Sequence, residues 1–256
     1  MRKHEIHFQP SVNEEIAATA IWGSQQVGLV GEAKYDGVFS IWYGKGPGVD
    51  RATDAIKHGN YAGSSTHGGV LVLCGDDPAA RSSTIAHQSE HAMIHAGVPV
   101  LHPSTVQEYL DYGQLGFAMS RYSGCWIGFK CVADTVESSA SVAVGLDRLA
   151  IKFPGDYPLP KDGLNIKLKF NPVLAEARVY EERHAAVQAF VRANDLDRAV
   201  FKPIKKSLAI ITTGKSYLDV REALRVIGID EIKSEVLGLG LFKVALVYPL
   251  EPEKIR

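Results

Sequence analysis

Five consecutive apolar residues, Val70, Leu71, Val72, Leu73 and Cys74, constrain this chain more than any other segment. A run this short and uniformly apolar, closed by Gly75-Asp-Asp77, suits a strand buried on both faces. Strands of that kind belong to parallel sheets covered by helices. The neighbouring segments alternate accordingly. Glu5 to Gln9 reads as a short strand, Asn13 to Gln26 as a helix, Gly37 to Tyr43 as a strand and Val49 to Gly59 as a helix. Beyond the run, His87 to Ala96 reads as helical and Val98 to Leu101 as a short strand. A helix capped by Ser104 runs to about Tyr122, and Cys125 to Val132 returns to strand. The pattern predicts an α/β fold built on a doubly wound, mostly parallel sheet.

Regularity stops at Lys152 to Pro172, where four prolines mark a linker. Val173 to Ala193 follows as an amphipathic helix with Tyr180, Val187 and Val191 along one face. A second start comes at Ser207, with a strand at Leu208 to Ile211, a turn at Thr212 to Ser216, a helix at Tyr217 to Ile227 and a strand at Leu241 to Tyr248. So short a stretch is too little for an independent α/β domain. The reading is therefore a first domain over 1–151, a linker and connecting helix over 152–206, and an incomplete second α/β domain over 207–256.

With a formal net charge of -1 and no clustering of its basic residues, the chain has no electrostatic case for nucleic acid or a membrane surface. Met1 to His7 lack the apolar core of a signal peptide, and no run approaches the roughly 20 apolar residues of a membrane span. A cytoplasmic location is expected. Cys74, Cys125 and Cys131 are the only cysteines and form no Cys-x-x-Cys, so neither a disulfide framework nor an iron-sulfur cluster can be assembled from this chain. Burial is the expected state of all three.

Three segments carry candidate chemistry. Glu14 heads a helix on which Ala17, Ala20 and Gly23 form a stripe of small residues, where another surface could come very close. The same segment also fits a capping box, Ser11-x-x-Glu14, in which the carboxylate would merely satisfy backbone amides. Gly44-Lys-Gly-Pro-Gly48 joins a strand to a helix and lets the backbone approach a ligand, but it is neither a dinucleotide fingerprint nor a phosphate loop. His87-x-x-Glu90-His91, extended by His95, has the spacing of a zinc peptidase helix and supports an alternative reading as a zinc hydrolase. Gly75-Asp-Asp77 departs from the Gly-Asp-Gly that opens a thiamine diphosphate and magnesium site.

From about residue 5 to residue 140 the chain resembles the pyrimidine-binding domain of the long-chain indolepyruvate ferredoxin oxidoreductases, a branch of the 2-oxoacid:ferredoxin oxidoreductases. The resemblance rests on Phe8 to Gln26, Trp42 to Arg51, His67 to Asp77, Ser82 to His91 and Arg121 to Ser139, five segments in the expected order. The segment from Ser207 resembles the opening of a transketolase C-terminal-like domain. The resemblance implies that Glu14 is catalytic and hydrogen-bonds the aminopyrimidine ring of thiamine diphosphate, making its amine basic enough to deprotonate the reactive carbon. It implies that Gly46, Pro47 and Gly48 flank the cofactor and that Arg81 and His87 meet the substrate. No metal-ligating residue is expected here; magnesium and iron-sulfur clusters would come from missing domains or a partner. The family decarboxylates aryl pyruvates such as indolepyruvate to an acyl-coenzyme A and passes electrons to ferredoxin. The chain reads as a fragment of such an enzyme, dimeric when complete and inactive alone, with an inactive structural remnant as a further alternative.

Overall fold

The computed structural model describes every residue except Met1 and Phe170, and for Arg2 and Leu146 the backbone alone. Four strands, β1 (Phe39–Lys45), β2 (Gly69–Asp76), β3 (Val100–Leu101) and β4 (Ile127–Val132), stand parallel in the order β1-β2-β4-β3. The α/β fold with a mostly parallel sheet is as expected. Alternation along β2 explains its uniform apolar run: Val70 and Val72 enter one core while Leu71 enters the other. On the first face lie α1 (Glu14–Ser24) and α2 (Gly46–Ala62), which pack Ala18, Val49, Ala52 and Ile56 against Trp42 and Trp126. On the second face, α4 (Val106–Ser123) contributes Tyr112, Leu115 and Met119. The short α3 (Glu90–His95) and α5 (Ala133–Val136) follow β2 and β4.

The chain then forms one continuous helical stretch made of α6 (Pro172–Ala177), a wide π turn over Arg178–Arg183 and α7 (His184–Ala193). The extra residue per turn rotates the helix face. Val187 and Val191 are buried in the second core as expected, whereas Tyr180 is 42% exposed and leaves the predicted stripe. The turn carries Arg183 inward, where its guanidinium donates to the carbonyls of Asn60, Tyr61 and Ala62 at the carboxyl end of α2 and to Leu164. Those carbonyls have no intrahelical partner, so the arginine acts as a cap reaching across the fold.

A smaller sheet of order β5-β7-β6 follows, formed by β5 (Arg198–Phe201), β6 (Leu208–Thr213) and β7 (Leu239–Val244), with α8 (Gly214–Val226) and α9 (Glu231–Leu237) between β6 and β7. The single strand expected over Leu241 to Tyr248 is two. After β7 the chain passes Ala245 and enters the first sheet as β8 (Leu246–Tyr248), antiparallel to β3. Asp197 Oδ1 fixes this crossing by accepting from Ala245 N at 2.6 Å and Leu246 N at 3.0 Å.

Two further expectations fail. Glu5 to Gln9 pairs with no strand; its side chains are exposed, and an isolated extended segment without a partner is not a strand. The turn expected at Thr212 to Ser216 is the end of β6 running directly into α8. Among the described residues, no helix is long and apolar enough to cross a membrane.

Candidate active site

Open α/β sheets bind ligands at the carboxyl ends of their strands. Here β1 ends at Lys45 and turns at once into α2, whose first residues are Gly46, Pro47 and Gly48. The two glycines are required by space. A β carbon on Gly46 would lie 2.4 Å from the Cβ and Cγ of His87, and one on Gly48 would lie 2.8 Å from the Cγ of Glu14. Gly46 and Asp50 share one helix face while Gly48 and Arg51 share another. The first turn of α2 therefore separates His87, whose Nε2 lies 3.0 Å from Asp50 Oδ2, from Glu14, whose nearest cation is Arg51 at 3.9 Å.

Asn13, not Ser11, is the cap of α1: its Oδ1 accepts from Ile16 N at 2.8 Å, and Glu14 is the first helical residue. The capping-box reading of Glu14 is thereby corrected. Its carboxylate is not spent on the backbone and stays 41% exposed, while Trp42 Nε1 donates to its carbonyl at 3.0 Å and fixes its position. Of the stripe, Ala17 is half-buried and packs against the first core beside Ala18, whereas Ala20 and Gly23 are exposed and a β carbon on Gly23 would meet nothing. The close contact beside Glu14 is supplied by Gly48 instead.

Two cavities open on this edge. The first, about 440 Å³, is walled by Lys45, Pro47, Asp50, Ser83 and His87. The second, about 430 Å³, lies between Lys45, Tyr43, Leu73, Asp77 and Val136. Lys45 and Ser82 line both, and neither lining includes Glu14 or Arg81. Arg81 is paired with Asp134 at 2.8 Å, so the structure brings His87, Pro47 and the glycine turn together and leaves Arg81 aside. Lys45 and Asp50 were missed by the sequence reading. Asp50 was detectable as the residue one helical turn after Gly46, on the same face.

The residues after β2 are held by ordinary structural bonds. Asp76 accepts from Ser89 N at 2.9 Å, anchoring the start of α3, and Lys130 Nζ lies 3.4 Å from it. Asp77 accepts from Ser82 N at 2.7 Å, which holds its carboxyl below the usual range. Burial raises the Glu90 carboxyl, but its ion pair with Lys130 outweighs that and lowers it. The histidine motif is corrected in the same terms: α3 begins only at Glu90, so His87 lies outside the helix and faces Asp50, while Glu90 faces Lys130. His87 and His91 do not share a helix face, and no group of three or more potential ligands gathers among the described residues.

Glu14 and Gly48 lie outside both cavity linings, and the first turn of α2 separates them from His87. A carboxylate on a fixed helix start beside a glycine that a side chain would fill suits an aminopyrimidine ring. The described residues offer no carboxylate set for a magnesium diphosphate. Cys74 and Cys125 are buried and Cys131 half-buried, and burial pushes the thiols up, Cys125 to about 11 and Cys131 to about 12.

The whole fold aligns with 2-oxoglutarate:ferredoxin oxidoreductase from Magnetococcus marinus at a TM-score of 0.63 and 12% identity, covering 97% of this chain and 47% of that one. The likeness is one of fold, an α/β architecture shared with about half of that chain. Residues 198–256 match the indolepyruvate oxidoreductase domain family. The chain is 26% identical over 248 residues to indolepyruvate oxidoreductase subunit IorA of Methanothermobacter marburgensis, covering 95% of this chain and 36% of that protein. It is 25% identical to the IorA subunit of Pyrococcus abyssi, covering 96% of this chain and 39% of the relative. The chain is similar to these indolepyruvate oxidoreductase subunits and spans little more than a third of their length.

Proposed function

We propose that this chain supplies the pyrimidine-binding part of a thiamine-dependent 2-oxoacid:ferredoxin oxidoreductase that acts in the cytoplasm on aryl pyruvates such as indolepyruvate. The observation that carries the reading is Glu14: a carboxylate on a fixed helix start, uncommitted to capping and crowded by Gly48. Residues 1–151 form the pyrimidine-binding-like domain, 152–206 the linker and connecting helix, and 207–256 the opening of a transketolase C-terminal-like domain. The diphosphate half of the site, magnesium and the iron-sulfur clusters come from the remainder of the enzyme or a partner chain, as do the contacts to coenzyme A and ferredoxin. The complete assembly is dimeric.

When bound, thiamine diphosphate supplies a carbon nucleophile for the keto group. The chain's own part is to place and ionise groups around it. Glu14 Oε holds a proton against a pyrimidine ring nitrogen, an acid-base task that Gln cannot share. Gly46 and Gly48 let the backbone of α2 come close, Pro47 forms the wall between the two glycines, and Asp50 orients the His87 ring at the cavity. The zinc hydrolase reading is dropped, because His87 lies outside the helix that carries Glu90 and His91 and faces Asp50, while Glu90 is paired with Lys130.

The test is the complete enzyme assembled around this sequence, with exchange of the thiazolium C2 proton followed by NMR in wild type and Glu14→Gln. General acid-base assistance is worth about 10² to 10⁴ in rate, and a loss of that order is expected. Unchanged exchange would remove the assignment.

A further inference from the structure

The reading above leaves open which group receives the carboxylate of a 2-oxo acid, and the cavities hold a candidate that the sequence reading did not name. Arg81, Lys130 and Lys45 stand at the carboxyl ends of the first sheet's strands, while Lys215, just beyond β6, is paired with Asp219. Arg81 is committed to Asp134 and lines neither cavity. Lys130 is committed to Asp76 and Glu90. Lys45 lines both cavities, and among the described residues it has no carboxylate partner; its Nζ donates only to the carbonyl of Ser82.

The two cavities differ in what else they offer. The second contains the carboxylates of Asp76, Asp77 and Glu137, which repel an anion, together with the apolar walls Tyr43, Leu73 and Val136. The first contains one carboxylate, Asp50, already facing His87, and the hydroxyl-bearing run Ser82, Ser83 and Thr84. Ser83 and His87 line it, and their Oγ and Nδ1 are buried atoms with no hydrogen-bond partner among the described residues. A buried hydroxyl without a partner is costly, and an added acceptor would satisfy it.

We propose that Lys45 and Ser83 anchor the substrate carboxylate in the first cavity, with the aryl side chain directed into the second against Tyr43, Leu73 and Val136. Lys45 stands at the junction of the two. The site therefore selects an α-anionic, aryl-bearing ligand. This proposal rests on the 2-oxo acid reading.

The test uses the purified 256-residue chain and two isosteric probes, indole-3-propionate and indole-3-propionamide, with affinities from ligand-observed NMR titration. A charge-assisted hydrogen bond predicts that wild type prefers the acid by about tenfold or more. Lys45→Met should bring the acid-to-amide ratio to near one, Lys45→Arg should retain most of it, and Ser83→Ala should reduce it partway. Arg81→Met should leave it alone. No preference in wild type, a ratio untouched in Lys45→Met, or one lost in Arg81→Met would overturn the anchor. The probes contain no keto group and the assay contains no thiamine, so this result and the Glu14 exchange result fail independently.

Discussion

Gly48 and Glu14 are in steric contact across the first turn of α2: a β carbon at Gly48 would lie 2.8 Å from Glu14 Cγ and 3.1 Å from its Oε1. The carboxylate is thus aimed by a missing side chain as much as by its own helix. Gly48→Ala should displace Glu14 while improving the helix propensity of α2, and the two effects on stability oppose each other. The expected outcome is a change of no more than about 1 kcal/mol in urea unfolding together with slowed thiazolium exchange in the assembled enzyme. Exchange at the wild-type rate would mean that Glu14 tolerates the shift and is not aimed by this contact.

The cap of α1 separates structure from chemistry at the same site. Asn13 Oδ1 satisfies Ile16 N, so Asn13→Ala should cost about 1 kcal/mol in unfolding free energy. Ser11 is exposed and caps nothing, so Ser11→Ala should be close to neutral. A larger loss at Ser11 than at Asn13 would restore the capping box.

The two sheets are joined by a buried charge. Lys243, 1% exposed, donates to Ser104 Oγ at 2.6 Å and to the Glu108 carboxylate, with its ammonium over the Tyr217 ring at 4.7 Å. Burial pushes the lysine down, and burial raises the Glu108 carboxyl, but Lys243 and Ser104 outweigh that and hold it low. Lys243→Met removes the ammonium and leaves the Glu108 carboxylate with its hydrogen bonds from Ser104 and with Arg198 at 3.6 Å, so a loss of up to about 3 kcal/mol is expected. The double variant Lys243→Met with Glu108→Gln should recover part of it. Equal stability of the single and double variants, measured by urea unfolding, would show that the pair is not coupled.

How far the sequence revealed this depends on whether the signal is local. Val70 to Cys74 was legible because a strand buried on both faces needs apolar residues at every position. Glu14 could be singled out, but its role was ambiguous, since Ser11 and Asn13 both lie where a cap could stand and only the backbone decides between them. The Tyr180 face was misplaced because a π turn leaves no mark in a 3.6-residue period. Lys243 was invisible: it interrupts a strand in which every residue is buried, and its partner lies 135 residues away in the chain. Lys45 looked like part of a glycine-rich turn, and its uncommitted charge appears only when the partners of Arg81 and Lys130 are known.

His102 gives the fold a pH dependence whose sign is fixed by burial. It stands just beyond β3, 8% exposed, with Nδ1 3.3 Å from Thr213 Oγ1, and its ring lies against Gly214, where a β carbon would be 2.1 Å away. Burial, assisted by the positive charge of Lys130, lowers it from 6.5 to about 4. His184, lowered mainly by burial, acts in the same direction. Between those limits the unfolded chain binds a proton that the native chain does not, so stability rises with pH. The contribution is complete above about pH 6.5 and is lost as pH falls toward 4. Each pH unit in that window is worth at most about 1.4 kcal/mol per histidine. Urea unfolding at pH 7 and pH 5 should therefore show wild type losing more stability on acidification than His102→Asn, whose amide can still meet Thr213 but does not titrate. The same loss in both proteins would assign the acid sensitivity to other groups and leave His102 as packing between the two sheets.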